Sequence, residues 1–253
     1  MLKKKVFLSA MNKDEKAVAG LFARIKAAGF DITGHFWSHE EKELTKVLPA
    51  QEVENVDAWV IYASEQITSE TMIGITLTLL TVRTFRETQL PVIIVGAAQE
   101  LPPLLNTAEF TSAEKLAVRL STRTAIRKKW IEDDFRLSAH CQAGVGYWLE
   151  VGPAEGKTWN GALVGADISL GGSIDFQAVG PKGSMPERTV LDYPVRDARL
   201  SAGDREYLAW GCQNQLTDAD SFYVRIKGLV PSLLLSEGLS SDDSMDCRII
   251  RLA

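Results

Sequence analysis

Cysteine is scarce in this chain: Cys141, Cys212 and Cys247 are the only three. An odd number at wide spacing argues against a disulfide framework, and no two have metal-ligand spacing. A reducing, cytoplasmic setting is the expectation. Long apolar runs are also missing. None approaches the roughly 20 residues of a membrane helix, so no membrane span is expected. The apolar stretch that follows Lys3-Lys4-Lys5 is too short for a secretory signal, and Asn12-Lys13-Asp14-Glu15-Lys16 comes at once. It reads as a first strand. Excess positive charge is lacking too. The formal net charge is −5, so the surface as a whole does not attract nucleic acid, and any anion site must be a local basic patch. There is no internal repeat and no low-complexity tract.

What is present is ordinary globular material: 45% hydrophobic and 24% charged residues. A chain of 253 residues is long for one core, since domains usually hold about 100 to 150 residues. Two units are therefore expected, 1–118 and 119–253.

The first unit alternates strand and helix. Lys5 to Ala10 reads as a short buried strand. Asp14 to Ala28 is amphipathic, with Val18, Leu21, Phe22 and Ile25 on one face and Gly29 as a stop. Phe30 to Phe36 reads as a strand and His39 to Leu48 as a polar helix. Ala58 to Ala63 and Pro91 to Val95 read as fully buried strands, with a helix over Glu70 to Phe85 between them. Glu109-Phe110 is a short last strand before a helix over Ser112 to Ile126. Strands without polar alternation, separated by helices, predict a parallel sheet covered on both faces, a flavodoxin-like α/β sandwich.

From about Trp130 the pattern changes. Glycines punctuate short apolar segments at Val145 to Val151, Ala162 to Ala166, Ser173 to Val179, Phe222 to Leu229 and Cys247 to Leu252. Closely spaced strands predict an antiparallel sandwich or barrel. One helix is expected near Ala202 to Gln213.

In element order the first unit resembles response-regulator receiver domains. That family needs an acidic cluster after the first strand, an aspartate after the third and a lysine after the fifth. Here those places read Ser9-Ala10-Met11, Ala63-Ser64 and Thr111, so phosphoryl acceptance is not expected. Val6-Phe7-Leu8-Ser9 with Asp14 ahead of a helix also resembles a TIR domain. NAD cleavage by that family needs a glutamate in the following region; Met72 to Thr76 has no acid, and Glu70 is the nearest. Nucleoside deoxyribosyltransferases, similar in look, fail for the same missing acid. A scaffold or docking domain is the reading that remains. His35, His39 and Glu40 read as solvated residues rather than a metal site. Gly152 to Thr158 is similar to the tail of a phosphate-binding loop but has the wrong spacing, and reads as a hairpin turn.

The second unit carries Asp167-Ile168-Ser169-Leu170-Gly171-Gly172, an Asp-x-Ser-x-x-Gly pattern, preceded by Arg119, Arg123 and Arg127 at four-residue steps. Arginines four apart converge on one side of a helix or strand, and a guanidinium grips phosphate at two points. Asp167 and Ser169 alternate on a strand, and glycines leave room for a base. The plain alternative is a helix face with ion pairs, Glu114 among the partners, and a turn-capping aspartate.

The paired motifs resemble those of PilZ domains. That resemblance implies a PilZ-like antiparallel β-barrel and a ligand, cyclic di-GMP. It implies that Arg123 and Arg127, in one register or Arg119 and Arg123 in the other, clamp phosphates while Asp167, Ser169, Gly171 and Gly172 read a guanine. It further implies a bacterial signalling receptor without catalysis and without a cofactor, which passes messenger binding on to a signalling or motility protein. A TIR-like NAD hydrolase using Glu70 and a ligand-free adaptor are the rival expectations.

Overall fold

The computed structural model describes residues 3–37, 52–53, 55–130, 134–142, 146–238 and 246–253. The polar helix expected over 39–48 lies outside the described residues, as do His39 and Glu40.

The first half is built on strands β1 (Lys5–Ala10), β2 (Asp31–Phe36), β3 (Ala58–Ala63), β4 (Val92–Gly96) and β5 (Ala108–Thr111). They form one parallel sheet in the order β2-β1-β3-β4-β5, a doubly wound arrangement. Helix α1 (Glu15–Ala27) starts where the Asp14 carboxylate accepts the Ala17 N–H, and stops before Gly29 at φ +90. Its Leu21 and Ile25 cover one sheet face, together with Leu116 and Leu120 of α3 (Leu116–Ala125). The inner strands β1, β3 and β4 bury both faces, as their unbroken apolar runs require.

Helix α2 (Ser69–Val82) covers the other face and does more. Every residue from Thr71 to Val82 is buried. Met72, Ile75, Leu79 and Val82 pack on the parallel sheet. Ile73, Leu77 and Leu80 form a second stripe against the β-rich half. Each buried Leu or Ile contributes roughly 1.5–3 kcal/mol, so this helix joins the two halves. Its threonines stay satisfied: Thr78 and Thr81 donate to the carbonyls of Gly74 and Leu77, and Thr76 to that of Leu252.

The second half contains β6 (Phe135–Gln142), β7 (Gly146–Pro153), β8 (Thr158–Asp167), β9 (Ser173–Pro181), β10 (Val195–Ala202), β11 (Arg205–Thr217), β12 (Asp220–Lys227), β13 (Ser232–Ser236) and β14 (Cys247–Arg251). They make two antiparallel sheets, β10-β11-β8-β13-β14 and β6-β7-β12-β9. Inward residues of both, such as Leu149, Val151 and Phe222 from one and Val164, Trp210 and Leu233 from the other, share a core. The closed PilZ-like barrel is corrected here: among the described strands, the two sheets stay separate.

The helix expected over Ala202 to Gln213 is also corrected. Ala202 ends β10, and Arg205 to Gln213 belong to β11. Tyr207 and Ala209 face out and Trp210 and Cys212 face in, all buried. An apolar run buried on both sides carries no period by which a strand is told from a helix. The turn at Gly203, φ +63, folds it back on β10. The expected hairpin turn near Gly156 is present, with Lys157 N–H bonded to Ala154 O.

Candidate functional site

The predicted ligand residues are dispersed. Arg119 is exposed on α3, which packs on the parallel sheet. Arg123 turns inward and donates to the Thr107 carbonyl at 2.5 Å. Arg127 lies past the helix end, exposed. Asp167 ends β8 and is 1% exposed, on the outer face of the five-stranded sheet. Its carboxylate accepts from Ser169 N–H at 3.0 Å, and from Arg205 and Ser232 at 2.8 Å each. Tyr207 and Ser232 hydroxyls lie 2.9 Å apart beside it. Burial opposes its ionised form, yet these hydrogen bonds hold the carboxyl below the usual aspartate range. Ser169 sits in the turn, not on the strand, and its backbone N–H donates to the carboxylate. Gly171 adopts φ +77 in that turn. A side chain at Gly172 would strike Val230, 2.4 Å from the Cβ position. Asp167 is thus the turn-capping aspartate, and its lone pairs are spent inside the protein. No hydrogen bond or ion pair joins it to the arginines of α3.

A different constellation stands on the outer face of the four-stranded sheet. Strand alternation puts Leu137, Ala139, Leu149 and Val151 into the core. The same alternation turns Arg136, Ser138 and His140 of β6, Glu150 of β7, and Ser221 and Tyr223 of β12 to the opposite side. Register places Ser138 opposite Glu150 and Glu150 opposite Tyr223. Glu150 is 3% exposed. It takes hydrogen bonds from Ser221 at 2.8 Å and Gly183 N–H at 2.7 Å on Oε1, and from His140 Nε2 at 2.7 Å on Oε2, with Ser138 at 3.4 Å. Arg136 lies 3.7 Å from Oε1 and donates to the carbonyls of Pro153, Asp218 and Asp220. Its guanidinium rests over Gly152, where a Cβ would stand 2.7 Å from Nη2.

Burial works against the Glu150 anion, but the bonds from His140, Gly183 and Ser221 outweigh it and bring the carboxyl down to about 2. An ionised carboxylate only accepts. His140 therefore carries its proton on Nε2 when neutral, leaving Nδ1 to act on something else. Tyr223, beside Pro181 O and Ser184 N–H, is pushed up to about 12 by burial and then by the Glu150 charge.

This cluster opens on a cleft of about 270 Å³. Its far wall is the end of α2, with Arg83, Thr84 and Phe85, together with Trp130; Lys182 and Gly183 close the rim. Trp130 is fixed because 128–130 pairs with 87–89 through Gln89 N–H to Lys128 O and Trp130 N–H to Glu87 O. The Arg83 guanidinium lies 5.2 Å from the Trp130 ring centre. His140 keeps 29% of its side chain exposed while its partner Glu150 keeps 4%. The arrangement is a proton-carrying ring, oriented by a buried anion, facing a cleft lined by Arg83, Arg136 and Lys182.

None of Arg136, Ser138, His140, Glu150 or Lys182 is anticipated by the sequence motifs. The signal was the alternation Phe135-Arg136-Leu137-Ser138-Ala139-His140, whose even positions are all polar. Of the histidines weighed as metal ligands, His35 sits on β2, 3.0 Å from the Ser9 hydroxyl, which also accepts from Trp59 Nε1. Among the described residues no group of three His, Cys, Asp or Glu side chains is placed to hold a metal. Glu70 stands exposed in the first turn of α2.

No family model matches the chain, and no curated protein matches it. Two solved structures from Bacillus anthracis str. Sterne are similar in outline, one a diacylglycerol kinase and the other named as one provisionally. The first is 10% identical over 100% of this chain and 91% of its own, TM-score 0.34. The second is 12% identical over 99% of this chain and 76% of its own, TM-score 0.33. A likeness this distant carries no functional argument. Asp167 is closed off within the protein, and the His140–Glu150 pair stands at the wall of a cleft where a proton can be exchanged. The expectations of a cyclic di-GMP receptor and of a protein without catalysis are accordingly withdrawn.

Proposed function

We propose that the cleft between the end of α2 and the four-stranded sheet binds a small anionic molecule, and that His140 exchanges a proton with it. The observation that carries this reading is the 2.7 Å bond between His140 Nε2 and the buried Glu150 carboxylate at the wall of the cleft. A base held by an orienting carboxylate is the arrangement that acid–base chemistry uses. Arg83 and Lys182 supply the local positive potential that the acidic whole does not. Glu150 and Arg136 position; His140 acts.

The test is calorimetric titration with inorganic phosphate and pyrophosphate at neutral pH, in buffers of differing ionisation enthalpy. Binding is expected to weaken about tenfold in Lys182→Gln, the loss of one charge-assisted contact. Proton uptake on binding is expected in the wild type and not in His140→Gln. Absence of binding at about 10 mM, or proton uptake unchanged in His140→Gln, overturns the reading.

A further inference from the structure

A second cavity, of about 330 Å³, is walled by α2, the 3-10 turn Pro103–Leu105, β6 and β14. Small-molecule sites commonly measure about 300–1,000 Å³, so this chamber is large enough to be one by itself. Its lining is mixed. Leu79, Leu80, Phe135 and Ile250 are apolar; Thr76, Arg83, Gln89, Asn106 and Arg251 are polar. The ligand class follows from which of the polar groups are free. Both cations are engaged: Arg251 pairs with Glu100 at 3.0 Å, and Arg83 lies 5.2 Å from the Trp130 ring centre. Among the described residues no carboxylate lines the chamber. A charged ligand would have to draw a cation from its present partner, at a cost. Three uncharged groups remain. Thr76 is fully buried and its hydroxyl donates to Leu252 O at 2.8 Å, so only its lone pairs are left to accept. Gln89 and Asn106 use their backbone N–H groups on Lys128 O and Pro103 O. Among the described residues neither side-chain carboxamide has a hydrogen-bond partner.

From this accounting we propose that the chamber is a binding site for an uncharged molecule with an amide edge on an apolar body. A carboxamide offers a donor and an acceptor side by side, and an amide edge presents the complementary pair. Gln89 or Asn106 therefore meets the C=O and N–H of such a ligand together, and a further N–H can be accepted by Thr76. The body of the ligand covers Leu79, Leu80, Phe135 and Ile250, which gain by losing water. The three polar anchors come from separate segments, α2, the α2–β4 connection and the residue after the 3-10 turn. They converge only because α2 joins the two halves. Binding here is independent of the anion cleft, and either site can fail its test without the other.

The experiment is an NMR titration of the full chain with three molecules of similar shape. Benzamide carries the amide edge, acetophenone keeps the carbonyl without the N–H, and benzoate adds a charge. Affinities are read at the side-chain amide signals of Gln89 and Asn106, so that benzoate bound elsewhere does not count. Benzamide should shift both signals and bind at least about fivefold more tightly than acetophenone, which leaves a buried acceptor unmet. It should bind at least about tenfold more tightly than benzoate, whose charge finds no free cation. Gln89→Leu, read at Asn106, and Asn106→Leu, read at Gln89, should each cut the preference over acetophenone to about half or less. Asn106 is exposed, so its variant keeps the test open should Gln89→Leu not fold. No shift of either signal up to about 10 mM benzamide overturns the site. So does acetophenone or benzoate binding as tightly as benzamide, or a preference that neither variant alters.

Discussion

Two buried carboxylates, Asp167 and Glu150, stand on opposite outer faces of the same β-sandwich, and their resemblance is instructive. Each is nearly inaccessible, each has an arginine and a serine as partners, and each carboxyl is held below its ordinary range. They differ in the last partner. Asp167 is bounded by Arg205, Ser232 and its own turn, none of which changes protonation near neutrality. Glu150 passes its charge to His140, a group with a second ring nitrogen and an open cleft beside it. A buried anion closed by permanent donors fixes a fold. A buried anion bonded to an exposed imidazole can also pass its influence to a ligand.

The sharpest way to break this comparison is Arg136→Ala. It leaves Glu150 without the Arg136 guanidinium and the carbonyls of Pro153, Asp218 and Asp220 without that donor. Removing one partner of a buried pair costs about 3–5 kcal/mol, read as a lowered urea midpoint. A midpoint within error of wild type would make Arg136 a bystander.

The next effect concerns pH. Glu150 is ionised in the folded state down to about 2, against a starting value of 4.5. Its folded pKa is depressed, so its contribution is fully present above about 4.5 and is lost as pH falls toward 2. The difference corresponds to about 3 kcal/mol. In Glu150→Gln, that part of the acid sensitivity disappears, and stability measured from pH 5 to pH 2 falls less steeply than in the wild type. Equal slopes would mean that the carboxylate is not held as described.

The smallest effect is expected from Asp167→Asn. The amide oxygen still accepts the Ser169 N–H, and the partner Arg205 is partly exposed, 37% on its side chain, so solvent screens that pair. A loss of about 1–2 kcal/mol follows, with phosphate binding unaltered. Loss of phosphate binding in this variant would erase the distinction between the two carboxylates.

The α/β half was legible because its signals are local. Lys5 to Ala10 and Ala58 to Ala63 are apolar runs of strand length, and both strands fall on those residues. Gly29 marks the end of α1 and takes the left-handed conformation there. In the β half the strands starting at Ser173 and Cys247 were legible, whereas β6, β10 and β13 were not. Ser232–Ser236 is only five residues, three of them leucine, and reads as any short buried run. Ala202 to Gln213 failed for a related reason: Ala209 to Cys212 is buried on both faces, so no alternation survives there. The Asp-x-Ser-x-x-Gly motif misled because its residues meet the demands of a tight turn as well as those of a guanine site. A linear pattern does not separate the two uses.

By themselves the residues determined a parallel sheet followed by an antiparallel half, because burial on two faces or one is written in hydrophobic period. They also determined the caps of α1 and the turn near Gly156, where backbone conformation selects the residue type. Only the tertiary structure decided which polar residues matter. His140, Glu150, Ser221 and Gly183 come from β6, β7, β12 and the β9–β10 connection. Their meeting depends on strand register and on α2 presenting Arg83 across a cleft. Both are settled by packing between segments as much as about a hundred residues apart, where loop closure and core complementarity, not local preference, choose the neighbours.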